Sequence, residues 1–217
     1  MARLRPFLSK LARARSGVAA IEFALTLPFL TAAGLYGTEL TWFMLVNMKV
    51  SQVAMQAADN ASRIGDTATL QNRKIYESDI NDLMIGANLD GGTMVNLLTN
   101  GRVIISSLEV DPQSRQYIHW QRCKGLKNVV SSYGVAGDIK TAGMGPTGHE
   151  VTALAGDAVV FVEISYDYQP LVTGQFIQDR NIKAVASFNV RDSRDLTQIY
   201  QYTPAATVSS CSTFSAS

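Results

Sequence analysis

Histidine and cysteine are scarce in this sequence, two of each in 217 residues, and only 17% of the side chains are charged. Metal sites built on clustered His and Cys have little to draw on, because His119 and His149 stand thirty positions apart and the nearest thiol is Cys123. Two cysteines are too few for a cystine-knot scaffold, and sixteen glycines are too few for a collagen-like repeat. No Gly-x-Ser-x-Gly, His-Glu-x-x-His or Rossmann fingerprint occurs. Cys123 and His119 share the parity of an extended strand, which formally offers a Cys–His nucleophile, but the sequence shows no orienting acid or oxyanion-hole pattern beside them. The sequence therefore predicts a protein that is not an enzyme, with no catalytic residue, no metal and no cofactor.

What the chain does have is apolar surface, 47% of its residues, which excludes disorder over most of its length and is enough for one sizeable core. Charge is distributed unevenly. The first 17 residues carry Arg3, Arg5, Lys10, Arg13 and Arg15 and no acid, whereas the other 200 hold 14 basic and 18 acidic side chains, a balance of −4. An arginine-rich arm can neutralise phosphates, but the body does not continue that basic surface, so no nucleic-acid partner is expected.

The arm leads into Val18 to Val46, twenty-nine residues whose only ionisable members are Glu22 and Glu39. As a helix this stretch extends about 43 Å, more than the roughly 30 Å of a hydrocarbon core, so residues 18–46 are predicted to span a membrane. With five basic residues just before the span, the amino terminus is expected in the cytoplasm and the body on the other side, the topology of a single-pass inner-membrane protein with a periplasmic or extracellular head. A cleaved secretory signal is the rival reading. Ala32 and Ala33 make a poor small-x-small site, however, and the apolar run continues through Leu35, Tyr36, Leu40, Trp42, Phe43 and Leu45, which favours a retained anchor in contact with lipid.

Within the span, Ala20 with Ala24 and Ala33 with Gly37 are small-xxx-small pairs that allow close approach of another helix, and Pro28 predicts a kink or loosened turn. Glu22 is costly in such a helix. Either it snorkels to the headgroups or it is kept for a partner.

The order basic leader, Ser16-Gly17-Val18-Ala19-Ala20-Ile21-Glu22-Phe23, apolar helix resembles a type IV prepilin amino terminus. It is more similar still to the TadE-like minor pilins, or pseudopilins, of the tight-adherence (Flp, type IVb) system, in which a stretch such as GVAAIEFALTLPFL leads to a second acid near Glu39. Phe161 to Leu171 and Ala186 to Leu196 also look like TadE-like chains. The resemblance implies removal of the leader, residues 1–17, by a prepilin peptidase that cuts between Gly17 and Val18. It implies a pilus-assembly or adhesion role through helix contacts with other pilin subunits, and an assembly carboxylate at Glu22 that pairs with a neighbouring subunit's new amino terminus. Two departures stand out: Phe23 follows the acid where major Flp pilins have Tyr, and the body is far larger than theirs. The other reading is an unprocessed, membrane-anchored periplasmic binding module without a pilus role, with the loop around Met144 to His149 as its recognition site.

For residues 47–217 the pattern predicts an α+β head. Phe43, Val46, Val50, Val53, Ala57 and Ile64, with Ala54 and Ala61 beside them, form an apolar stripe that carries the first helix over 47–65 as a stalk packed on the head, in the manner of a pilin. A second helix is expected over 76–85 with Ile80, Leu83 and Met84 inward. Period-two alternation predicts antiparallel strands over 158–168 and 181–191, one face buried and one wet, with weaker candidates at 102–110 and 117–123. Residues 134–156, rich in glycine, read as a long exposed loop with no phosphate-cradling ending. Cys123 and Cys211 are an even pair in a segment expected outside the cytoplasm. They are either free buried thiols or a bridge tying the tail, 203–217, to the sheet.

Overall fold

A computed structural model describes residues 16–66, 72–175 and 177–216. The basic leader through Arg15 lies outside the described residues. Four strands and three helices follow in order: α1 (Ser16–Ala61), α2 (Glu77–Val95), α3 (Leu97–Asn100), β1 (Gly101–Val110), β2 (Gln116–Lys124), β3 (Ala158–Asp167) and β4 (Asn181–Asn189). The fold is α+β: a long apolar helix, then a four-stranded antiparallel sheet in the order β2-β1-β3-β4. The chain forms two compact units. One contains α1 through Trp42 together with Pro170–Ile177, and the other contains Phe43–Gln169 and Gln178–Ser217.

In the second unit the stripe on α1 is buried at Val46, Val50, Val53, Ala54, Ala57, Ala58 and Ala61. Phe43 meets the ring of Tyr168 edge-on at 5.0 Å, on the sheet face that also carries Val103, Ile105, Val162 and Ile164. The helix ends at Ala61, four residues before the predicted end at 65. Arg194 stops it there, its Nη2 donating to the carbonyls of Ala61 (3.1 Å) and Ile64 (2.9 Å), which have no helical donor left. Burial lowers the pKa of this guanidinium to about 10.

The second helix is longer than the predicted 76–85. It starts at Glu77 behind a turn in which the Asp79 carboxylate accepts from the Tyr76 N–H (3.1 Å), and its buried stripe continues past Met84 through Ala87, Gly91 and Val95. Gly86, Asn88, Asp90 and Gly91 are poor helix formers, so propensity hides what packing enforces. A break does occur within it, at Gly92, with φ of 59°. Glu77, buried, receives both Nε and Nη2 of Arg122, which fastens the start of α2 to β2.

One sequence-based expectation fails, and a second holds only in part. β3 does not have a wet face, because every residue from Ala158 to Tyr166 is buried, Glu163 and Ser165 included. The glycine-rich stretch 134–156 is an irregular and mostly exposed segment, as expected, but Met144 and Ala153 within it are buried. It folds over the sheet face opposite the helices, where Met144 and Ala153 join Leu108, Ile118, Val159 and Phe161 in a second core. Met144 and Val151 exchange backbone hydrogen bonds of 3.0 and 2.8 Å across the loop. Glu163, buried with it, accepts from the Ser131 hydroxyl (2.8 Å) and the Ser132 N–H (3.0 Å). Period two identified a two-faced strand correctly. It could not show that the polar face would be covered by a segment that pairs with its carboxylate.

Cys123 and Cys211 are joined in a disulfide. The tail also accepts at the outer edge of β2, where the Cys123 N–H donates to the carbonyl of Ser209 (2.9 Å). Arg102, fully buried, donates to the carbonyl of Cys211 (2.8 Å) and lies 4.2 Å from the centre of the Phe214 ring.

Candidate functional site

From Gly17 to Thr38 every residue of α1 is exposed. The helix is assigned without interruption through Pro28, so the predicted kink is not seen as a break in it. Its threonines satisfy themselves: the hydroxyls of Thr26, Thr31, Thr38 and Thr41 donate to the carbonyls of Phe23, Leu27, Gly34 and Gly37 at 2.8–3.2 Å. A helix whose hydroxyls are spent on its own backbone presents an almost wholly apolar surface, the condition for lying in lipid. It is the one helix among the described residues long and apolar enough to cross a membrane.

The predicted cleavage, assembly and helix-packing residues all fall on this surface. Gly17 and Val18 form its start, Glu22 stands one turn further on, and Ala20, Ala24, Ala33 and Gly37 are exposed along it. A side chain built at Gly37 would meet nothing within 4 Å, so the small residues keep room for something outside the chain.

Glu39 behaves differently and was missed. The sequence reading noted it only as a second acid, yet it is 0% exposed. Its carboxylate accepts from three successive backbone N–H groups: Leu171 to Oε1 at 3.3 Å, Val172 to Oε2 at 2.7 Å and Thr173 to Oε2 at 3.3 Å. A carboxylate buried in an apolar helix needs donors, and here a loop 132 positions away supplies them. No local signal in the sequence pairs Glu39 with that loop. The uncharged run Pro-Leu-Val-Thr-Gly-Gln at 170–175, between Asp167 and Asp179, is the only hint.

Residues 17–59 match the family described as TadE-like protein. Over those residues the chain is similar to TadE-like proteins. The TadE-like segment holds Gly17, Val18, Glu22 and Glu39, while the blocks at 161–171 and 186–196 lie outside it. No curated protein and no solved structure matches the chain.

The Cys–His pair does not assemble. A bulge in β2 sets both His119 and Trp120 against Ser107, so strand parity is lost between His119 and Cys123, and Cys123 is in the disulfide. His119 does have an acid, contrary to the sequence reading: its Nδ1 lies 2.9 Å from Oε2 of buried Glu109, across β1. That hydrogen bond and the carboxylate charge raise the His119 pKa above 6.5 against the opposing effect of burial. The Ser107 hydroxyl also donates to Glu109, at 2.6 Å. With the candidate nucleophile Cys123 bound in a disulfide, the His119–Glu109 contact is an ion pair of the sheet. The loop of the alternative reading lines an open groove of ≈ 430 Å³ with Met55, Pro146, His149, Val185 and Phe188, and no charged side chain lines it.

Proposed function

We propose that the chain is a minor pilin or pseudopilin of a Tad-type pilus, cut between Gly17 and Val18 by a prepilin peptidase and active in assembly or adhesion rather than catalysis. The supporting observation is the coincidence, on one apolar helix exposed from Gly17 to Thr38, of the start of the TadE-like match, the glycine at 17 and an exposed carboxylate at 22. Cleavage at Gly17 removes five positive charges and creates an ammonium at Val18, four residues from Glu22. On one helix these two groups are neighbours. Between staggered helices the carboxylate of one subunit meets the ammonium of the next, and two charges that are costly in lipid neutralise one another. The exposed pairs Ala20/Ala24 and Ala33/Gly37 permit the close helix approach this requires. In this reading the helix sits in the inner membrane with the leader cytoplasmic, and the head, closed by a disulfide, is exported.

The test is intact-mass analysis of the chain recovered from membranes of cells carrying a Tad-system prepilin peptidase. A chain starting at Val18, and an uncut chain when Gly17→Trp is introduced, are the expected results. An intact Met1 terminus, or identical processing of the Gly17→Trp variant, contradicts the reading.

A further inference from the structure

The loop that clamps Glu39 has its backbone and its side chains facing opposite requirements. Its N–H groups at Leu171, Val172 and Thr173 are given to the carboxylate, and the Gln175 N–H goes to the Thr173 hydroxyl at 3.3 Å. The side chains of Leu171 and Val172 are nevertheless exposed, by 56% and 42%, and 170–177 contains no charged residue. In water this arrangement leaves apolar surface uncovered. In the headgroup–acyl boundary of a bilayer it removes the main obstacle to a loop, namely unsatisfied backbone donors.

Depth places the loop at that boundary. Val18 to Glu39 is 21 helical steps, about 32 Å of axis, close to the roughly 30 Å of a hydrocarbon core. With Val18 at one surface of the bilayer, Glu39 arrives at the other. Tyr36 and Trp42, three residues before and after Glu39 and thus on its side of the helix, mark the same level with the amphipathic rings that favour membrane–water interfaces.

We infer that the segment 170–175 is a second membrane-contact element, locked to the helix by Glu39 and seated with Leu171 and Val172 in the lipid boundary at the end of the span away from Val18. The ligand is the lipid surface itself. The inference rests on the membrane-anchored reading of α1, and it shortens the span to about residues 18–38. Glu39 is then a structural acid that positions the loop, while Glu22, without such donors, is left for assembly.

The full chain, with its native disulfide, is reconstituted in vesicles of phosphatidylethanolamine and phosphatidylglycerol. A thiol-linked environment-sensitive fluorophore is placed at Leu171→Cys, at Phe29→Cys within the span or at exposed Asp90→Cys in the head. Lipids carrying a quencher at shallow or deep acyl positions report depth. The label at 171 is expected to be quenched by the shallow lipid, the label at 29 by the deep one and the label at 90 by neither. Adding Glu39→Ala is expected to reduce quenching at 171 to the level seen at 90 and to leave 29 unchanged. Quenching at 29 without quenching at 171 overturns the loop's role and leaves the span standing. Quenching at neither overturns both. A label at 171 that is shielded from water yet unaffected by quencher lipid indicates a protein on the loop and overturns the lipid assignment. If Glu39→Ala does not fold, the depth profile at 171 in the otherwise unchanged chain still decides.

Discussion

His119 shows how a single residue can be given the wrong role by strand parity. One extra residue at the bulge turns it away from Cys123 and onto Glu109, and no sequence pattern announces the bulge. The pairing has a pH consequence whose sign is fixed. Because the folded-state pKa lies above 6.5, the contribution to stability is fully present below that value and fades as pH rises through the folded pKa. The melting temperature of the full chain in detergent is expected to fall from pH 6 to above pH 7, and His119→Gln is expected to flatten that fall. A profile unchanged by the substitution would show that the pair does not titrate with folding. The Glu77–Arg122 pair is of another kind: both members are largely buried and doubly bonded. Arg122→Met leaves Glu77 buried and alone, with an expected loss of about 3 kcal/mol in denaturant unfolding. Glu77 and Arg122 are 45 positions apart, so only the folded chain reveals the pair.

At the scale of elements, the helix stripe and the two strongest strands were legible because each follows a period. Val46, Val50, Val53 and Ala57 recur every three or four residues and are all buried, and Ile182 and Ala184 alternate as expected. Strand boundaries at 102–110 and 117–123 were also close to the observed 101–110 and 116–124. What stayed hidden depends on contacts between distant segments: the loop that buries Glu163, the stripe that extends α2 past its glycines, and the backbone donors that bury Glu39. Glycine did carry one readable demand. After β2, Gly125 has φ of +126° and an added Cβ would lie 2.3 Å from the carbonyl oxygen of Gly101, whereas Gly137, φ +93°, has open space around it. Gly125→Ala is therefore expected to cost more than the roughly 1–3 kcal/mol of backbone strain alone, and more than Gly137→Ala, in paired unfolding measurements. The tail is held by similar long-range means. Replacing both Cys123 and Cys211 with Ser opens a loop of 88 residues and is expected to cost roughly 2–5 kcal/mol, seen as a lower melting temperature and earlier proteolysis of residues 203–216.

For the whole molecule, the two acids of the apolar helix divide its work. Glu39 finds donors within its own chain and is buried; Glu22 finds none among the described residues and remains on the exposed apolar surface of the helix. An exposed acid in an apolar helix is unfavourable unless a positive group arrives, and in the proposed pilin reading cleavage after Gly17 supplies one on every subunit. The most direct measurement is recovery of the chain with other pilin subunits from solubilised membranes and sheared pili, comparing the native residue with Glu22→Gln at equal membrane levels. The account predicts that the Glu22→Gln chain is anchored and processed normally but lost from the pilin complexes. Undiminished recovery of Glu22→Gln would contradict it.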